Sequence, residues 1–144
     1  MAVSQILVAT DGSPGASRAV KAAAELAKAL DSDLLIVTQA ENISITEMEH
    51  LVRSEGGIAK ALDLIAARTL LEAKELAVKV GLLKARTCSG SGDVAEGIID
   101  IARRERADII VVGRRGRSQL AGLLLGSVSQ KLVSLAPCLV LVVP

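Results

Sequence analysis

The sequence predicts an α/β fold: one open, five-stranded parallel sheet with helices on both faces. Three observations carry this. Short, wholly apolar runs alternate with longer stretches whose apolar residues recur at helical spacing. Strands separated by helices imply right-handed crossovers and therefore parallel pairing. The chain is half apolar yet has no Phe, Tyr or Trp, so its core is built from Val, Ile, Leu and Ala, which suits a buried sheet under Ala-rich helices. Its 144 residues suit a single domain, residues 1–144, with no linker or internal repeat.

Gln5 to Thr10 reads as a buried strand ending at the turn Asp11-Gly12-Ser13-Pro14. Ser13 suits an N-cap and Pro14 the first helical position; Ala16, Ala19, Val20, Ala23, Ala27 and Leu30 then keep helical spacing to Asp31-Ser32-Asp33. Leu34 to Gln39 is the second strand. Thr46 and Glu49 have capping-box spacing, so a helix is expected to begin there and to break at Gly56-Gly57. A stronger helical pattern runs from Ile58 to Val80, with Gly81 as its C-terminal cap. Lys84 to Ser89 is a weaker strand whose alternating Lys84 and Arg86 suggest a sheet edge. Asp93 with Glu96 opens the next helix, lined by Val94, Ile98, Ile101 and Ala102. Ile109 to Val112 is a strand buried on both faces; Val128, Leu132 and Leu135 mark a last helix stopped by Pro137, and Leu139 to Val143 is the final strand.

The bulk properties exclude several classes. A formal net charge of +1 gives no field that favours nucleic acid or a membrane surface. The missing aromatics remove the stacking platforms of single-strand binders. Cys88 and Cys138 fit neither a disulfide nor a metal framework and read as reduced, buried thiols. No run is long enough to span a bilayer, and the first residues lack signal-peptide order, so a cytoplasmic protein is the expectation.

The chemistry concentrates between Val112 and Ser129, where a strand runs into glycines, three arginines and a closing Gly126-Ser127 at a helix start. Glycines admit a ligand close to the backbone, and a helix N-terminus offers unpaired N–H donors and a positive dipole end. Together these suit a phosphate. In an open parallel sheet, ligands bind beyond the carboxyl ends of the strands where strand order reverses. For the order 3-2-1-4-5 the reversal lies between strands one and four, whose exits are Asp11-Gly12-Ser13 and Gly113 to Ser127.

With Asp11 ending the first strand, the Ala-rich first helix, and Gly113, Gly116, Gly126 and Ser127 as a Gly-x-x-Gly, nine residues, Gly-Ser pattern, the chain resembles a single-domain universal stress protein over essentially its whole length. The resemblance implies a Rossmann-like, adenine nucleotide alpha hydrolase-like fold that binds ATP, or ADP or AMP, with Mg or Mn held through the phosphates. It implies that Asp11 meets the ribose or adenine end, that Ala9 and Thr10 line the base pocket, and that Gln39 offers backbone groups to the adenine edge. Gly113 would lie against the ribose, and Gly116, Gly126, Ser127, Val128 and Ser129 would hold phosphates. Resembling proteins often carry a small residue and a histidine where Arg114 and Arg115 stand; with Arg117, these charges either strengthen triphosphate binding or crowd it.

Each assignment has a structural rival. Asp11 is suited to cap the first turn, Ser127 to be an N-cap, and the arginines to be a solvated cluster. Gly90-Ser91-Gly92-Asp93-Val94-Ala95 fits a dinucleotide fingerprint formally, but it follows an edge strand and lacks the acidic residue after the next strand. His50 is the sole histidine, and no P-loop lysine motif or evident base for water activation occurs. The expected function is a nucleotide-binding regulatory module with little or no hydrolysis. A slow ATPase or nucleotidyl-transfer enzyme and a nucleotide-free dimeric interaction module are the alternatives. Leu139, Val140, Leu141, Val142 and Val143 form an apolar edge strand of the kind that pairs with another chain, and resembling proteins dimerise through it.

Overall fold

The structure, a computed structural model, describes residues 2–39, 49, 57–114 and 125–144. Their elements are β1 (Gln5–Ala9), α1 (Pro14–Leu30), β2 (Asp33–Gln39), α2 (Ile58–Val80), β3 (Ala85–Gly90), α3 (Val94–Arg104), β4 (Ile109–Gly113), α4 (Ser127–Leu135) and β5 (Leu139–Val143). The strands form one sheet of order β3-β2-β1-β4-β5, and all four pairings are parallel. The reversal of strand order therefore falls between β1 and β4, as the sequence predicts.

Alternation along the strands sorts the core into two layers. Ile6, Val8, Leu34, Ile36 and Val111 face one way, onto the alanines of α1 (Ala19, Ala23, Ala24, Ala27) and of α2 (Ala73, Ala77). Leu7, Ala9, Leu35, Val37, Ile110 and Val112 face the other way, onto Ile98, Ile101 and Ala102 of α3 and Leu132 of α4. Alanine on the helices lets them lie close to a sheet of branched aliphatic residues without aromatic bulk.

The helix ends follow local chemistry. Ser13 caps α1, its Oγ accepting from Ala16 N–H at 3.2 Å, and Pro14 stands in the first turn. Gly81, at φ +102°, closes α2 in the left-handed region that favours glycine. Asp93 caps α3 by accepting from Glu96 N–H at 2.9 Å. Thr46 and Gly56 lie outside the described residues, as does His50; Gly57 is the N-cap residue of α2. Cys88 and Cys138 are unpaired but only half-buried, which corrects the expectation of buried thiols. Cys88 sits on a short edge strand and Cys138 just before one, where less of the core covers them.

Two carboxylates tie elements together at the surface. One oxygen of Asp108, ahead of β4, accepts from Ser4 N–H at 2.8 Å and Gln5 N–H at 3.0 Å, setting the start of β1 against β4. The Gln5 and Ser4 amides hold the Asp108 carboxyl below its ordinary pKa. The Glu96 amide does the same for Asp93, with Lys131 adding to it from α4. A carboxylate depressed in the folded state stabilises it above the unfolded pKa, and that contribution is lost as pH falls through the folded pKa. Wild-type stability should therefore fall more steeply below about pH 4 than that of the Asp93→Asn/Asp108→Asn double variant, which should be less stable at neutral pH. Thermal denaturation across that range checks this; parallel curves would contradict it.

Candidate functional site

The site is organised by the exits of β1 and β4. Beyond β1, Thr10 N–H continues the ladder by donating to Val37 O at 2.9 Å. Thr10 Oγ1 accepts from Gly12 N–H at 3.1 Å, and Asp11 Oδ1 accepts from Ser13 N–H at 2.9 Å. Gly12 takes φ +81°, the left-handed conformation this turn needs. Ala9 and Thr10 are buried and form a floor. Asp11 thus does hold the first turn, and the Ser13 and Ala16 amides at the start of α1 are engaged from within.

The exit of β4 is arranged differently. Arg114 N–H donates to Val143 O of β5 at 2.7 Å, and Arg114 O accepts from Gly126 N–H at 2.8 Å. Ser129, only 2% exposed, donates its hydroxyl to Gly113 O at 2.7 Å and lies 3.1 Å from Arg114 O. These bonds close the neck of the segment between Arg114 and Gly126 and hold the first turn of α4 over the carboxyl end of β4. Gly126, not Ser127, is the N-cap, so the N-cap residue brings no side chain to the helix start. Ser127 is an exposed first helical residue. The first helical bond is Gln130 N–H to Gly126 O at 3.0 Å, so the amides of Ser127, Val128 and Ser129 precede any intrahelical acceptor. The open helix start and its dipole suit an anion there. Ser129 can offer its amide, while its hydroxyl is engaged inward.

Gly113 has a packing role that its position alone did not reveal. A Cβ there would stand 3.0 Å from Gly15 O and 3.1 Å from Gly15 C, on the backbone of the first turn of α1. The two strand exits are therefore in direct contact through glycines. Arg115, Gly116 and Arg117 lie outside the described residues.

Gln39 ends β2 and turns its side chain between Gly90 of β3 and Gly97 of α3. A Cβ on Gly90 would lie 2.7 Å from Gln39 Nε2, and one on Gly97 would overlap the same amide. Neither glycine was assigned a role from the sequence. The formal fingerprint drew attention to Gly90 for another reason, and the pairing with Gln39 joins residues distant in the chain. The loop from Gly90 to Asp93 instead leads into the Asp93 cap. A separate groove between α1 and α2 is lined by Lys21, Glu25, Lys28, Leu76 and Lys79. Lys28 Nζ there reaches Val80 O at 3.5 Å, closing the end of α2, and the groove stands apart from the strand exits. No group of three or more His, Cys, Asp or Glu residues suited to a metal ion occurs among the described residues.

These features define a doubly wound α/β protein with the exits of β1 and β4 side by side at the switch point of its sheet. The universal stress protein family model matches residues 3–144, and the chain belongs to that family. It is 34% identical over 148 residues to universal stress protein YxiE of Bacillus subtilis, covering 96% of this chain and 97% of that one. It is 36% identical over 138 residues to a universal stress protein of Thermus aquaticus, with 96% of each chain covered. A solved universal stress protein in complex with cAMP superposes with a TM-score of 0.76 at 30% identity, over 100% of this chain and 99% of that one.

The glycines and Ser129 lead to a contrast in stability. Gly113→Ala meets backbone and should cost about 1–3 kcal/mol, lowering Tm by roughly 2–4 °C per kcal/mol. Ser129→Ala should cost about 1 kcal/mol through its lost buried hydrogen bond. Gly97→Ala meets only the end of a flexible side chain and gains helix propensity of about 1 kcal/mol, so it should be neutral or stabilising. Denaturant titration of the three variants checks the order; a destabilised Gly97→Ala beside a neutral Gly113→Ala would reverse it.

Proposed function

We propose that this protein binds an adenine nucleotide in the crevice between the exits of β1 and β4 and acts as a ligand-sensing regulatory module in stress response, with little or no hydrolysis. The observation that carries the reading is the uncapped start of α4, held over the end of β4 by Ser129 and the Gly126–Arg114 bond. Three amides and a positive dipole end converge there, with no acidic residue in the helix's own first turn. The related protein in complex with cAMP supports an adenine ring and at least one phosphate as the ligand.

In this reading the ligand is ATP, with ADP and AMP as shorter forms, and a divalent cation, Mg or Mn, bridges the phosphates. The amides of Ser127, Val128 and Ser129 take phosphate oxygens, joined by Gly116 and Gly126 and by the charges of Arg114, Arg115 and Arg117. Asp11 meets the ribose, Ala9 and Thr10 floor the base pocket, and Gly113 keeps the ribose side close to the backbone. Ser13 N–H engages the Asp11 carboxylate, which supports a binding role over one in activating water. Regulation then requires that the nucleotide bind two states of the protein with different affinity.

The test is calorimetric titration with ATP at millimolar Mg. Stoichiometric uptake is expected, with binding lost in Gly126→Val, whose branched Cβ narrows the approach to the helix start. No uptake at millimolar ATP would overturn the reading.

The protein is further proposed to be a homodimer through β5. That strand is at the sheet edge, and Leu139 and Leu141 are 53% and 42% exposed. An apolar edge favours pairing with a second copy. Leu141→Lys should shift the sedimentation coefficient from dimer to monomer at micromolar concentration; a monomeric wild type would refute the dimer.

A further inference from the structure

Gln39 carries an anomaly that the fold does not explain. Its Oε1 is buried and accepts no hydrogen bond among the described residues. Buried acceptors are nearly always satisfied, and one left bare is costly enough to need a reason. The amide sits in a notch that exists because Gly90 and Gly97 lack side chains, so packing alone holds it there. Moving it out breaks no hydrogen bond among the described residues and relieves the bare oxygen.

Its position gives the amide a use. Ala9 pairs with Val37 in the β1–β2 register, and both face the layer covered by α3 and α4. Gln39 is the next residue of β2 on that face, and Asp11 is the corresponding step beyond β1. The amide therefore flanks the crevice from the side of β2, while the open start of α4 flanks it from β4. A primary amide offers one acceptor and two donors side by side. That pattern matches the adenine edge, where the exocyclic amine donates and N7 accepts. Guanine and hypoxanthine present two acceptors on the same edge, so one atom of the pair meets a like group in either amide orientation.

We propose that the Gln39 side-chain amide swings from its glycine notch onto the base and selects adenine over 6-oxopurines. This rests on the nucleotide site proposed above and adds a selecting side chain to the backbone contact expected at the same residue. The experiment measures Kd for ATP and ITP, both with Mg, for the wild type, Gln39→Leu, Gln39→Met and Gly97→Ala. The wild type should favour ATP by at least about 5-fold, the lower range for one good bidentate pair. In both Gln39 variants the ratio should fall toward one, through weaker ATP binding with ITP binding little changed. Two apolar replacements guard against one of them failing to fold. Gly97→Ala, whose Cβ evicts the amide from its resting notch, should keep the wild-type ratio or raise it. If the wild type takes up neither nucleotide, the site reading fails and this assignment with it. If the wild type binds ATP but lacks the preference, or the Gln39 variants retain it, only the assignment to Gln39 fails.

Discussion

The candidate site depends on the neck at Arg114 and Gly126. One backbone bond and one buried serine hydroxyl fix the start of α4 to the end of β4. With them, three amides of α4 are presented at the switch point of the sheet. Ser129 therefore supports the helix start from beneath: its hydroxyl donates to Gly113 O and also lies close to Arg114 O, which accepts from Gly126 N–H as well. The same neck is braced on the far side, where Arg114 N–H bonds to Val143 of β5.

The two helix starts near the crevice are electrostatically unlike. The first turn of α1 is closed by its own side chains, with Asp11 on Ser13 N–H and Ser13 on Ala16 N–H. The N-cap of α4, Gly126, has no side chain to do the same. A carboxylate thus stands on one side of the crevice and a positive dipole end on the other. In the nucleotide reading proposed above, that polarity suits a sugar toward Asp11 and phosphates toward α4. Contact between Gly113 and Gly15 keeps the two sides near each other, since a Cβ at Gly113 would press on the α1 backbone.

Much of this was legible in the sequence because it depends on local signals. The apolar runs marked β1, β2, β4 and β5, and Ser13-Pro14, Asp93 and Gly81 marked helix ends through their own backbone bonds and conformations. Strand order was not set by any local signal; the order 3-2-1-4-5 accounted for the unusual exits of β1 and β4. What stayed hidden depends on contacts between distant residues. Gly113 also packs on Gly15, the Ser129 hydroxyl turns inward, and Gly90 and Gly97 make room for Gln39. Ser127 reads as a cap because serine favours that position, but Gly126 takes it and leaves the helix start open. In each case residue type was informative, and the partner was set by how the elements pack.

The most direct test of the account is to follow backbone amide resonances while Mg-ATP is added. The account predicts that the largest shifts fall on Ser127, Val128 and Ser129, with smaller ones at Asp11 and Gly12. Shifts confined to the opposite end of the sheet, around Ser4 and Asp108, or spread along α1 and α2 with α4 silent, would contradict it.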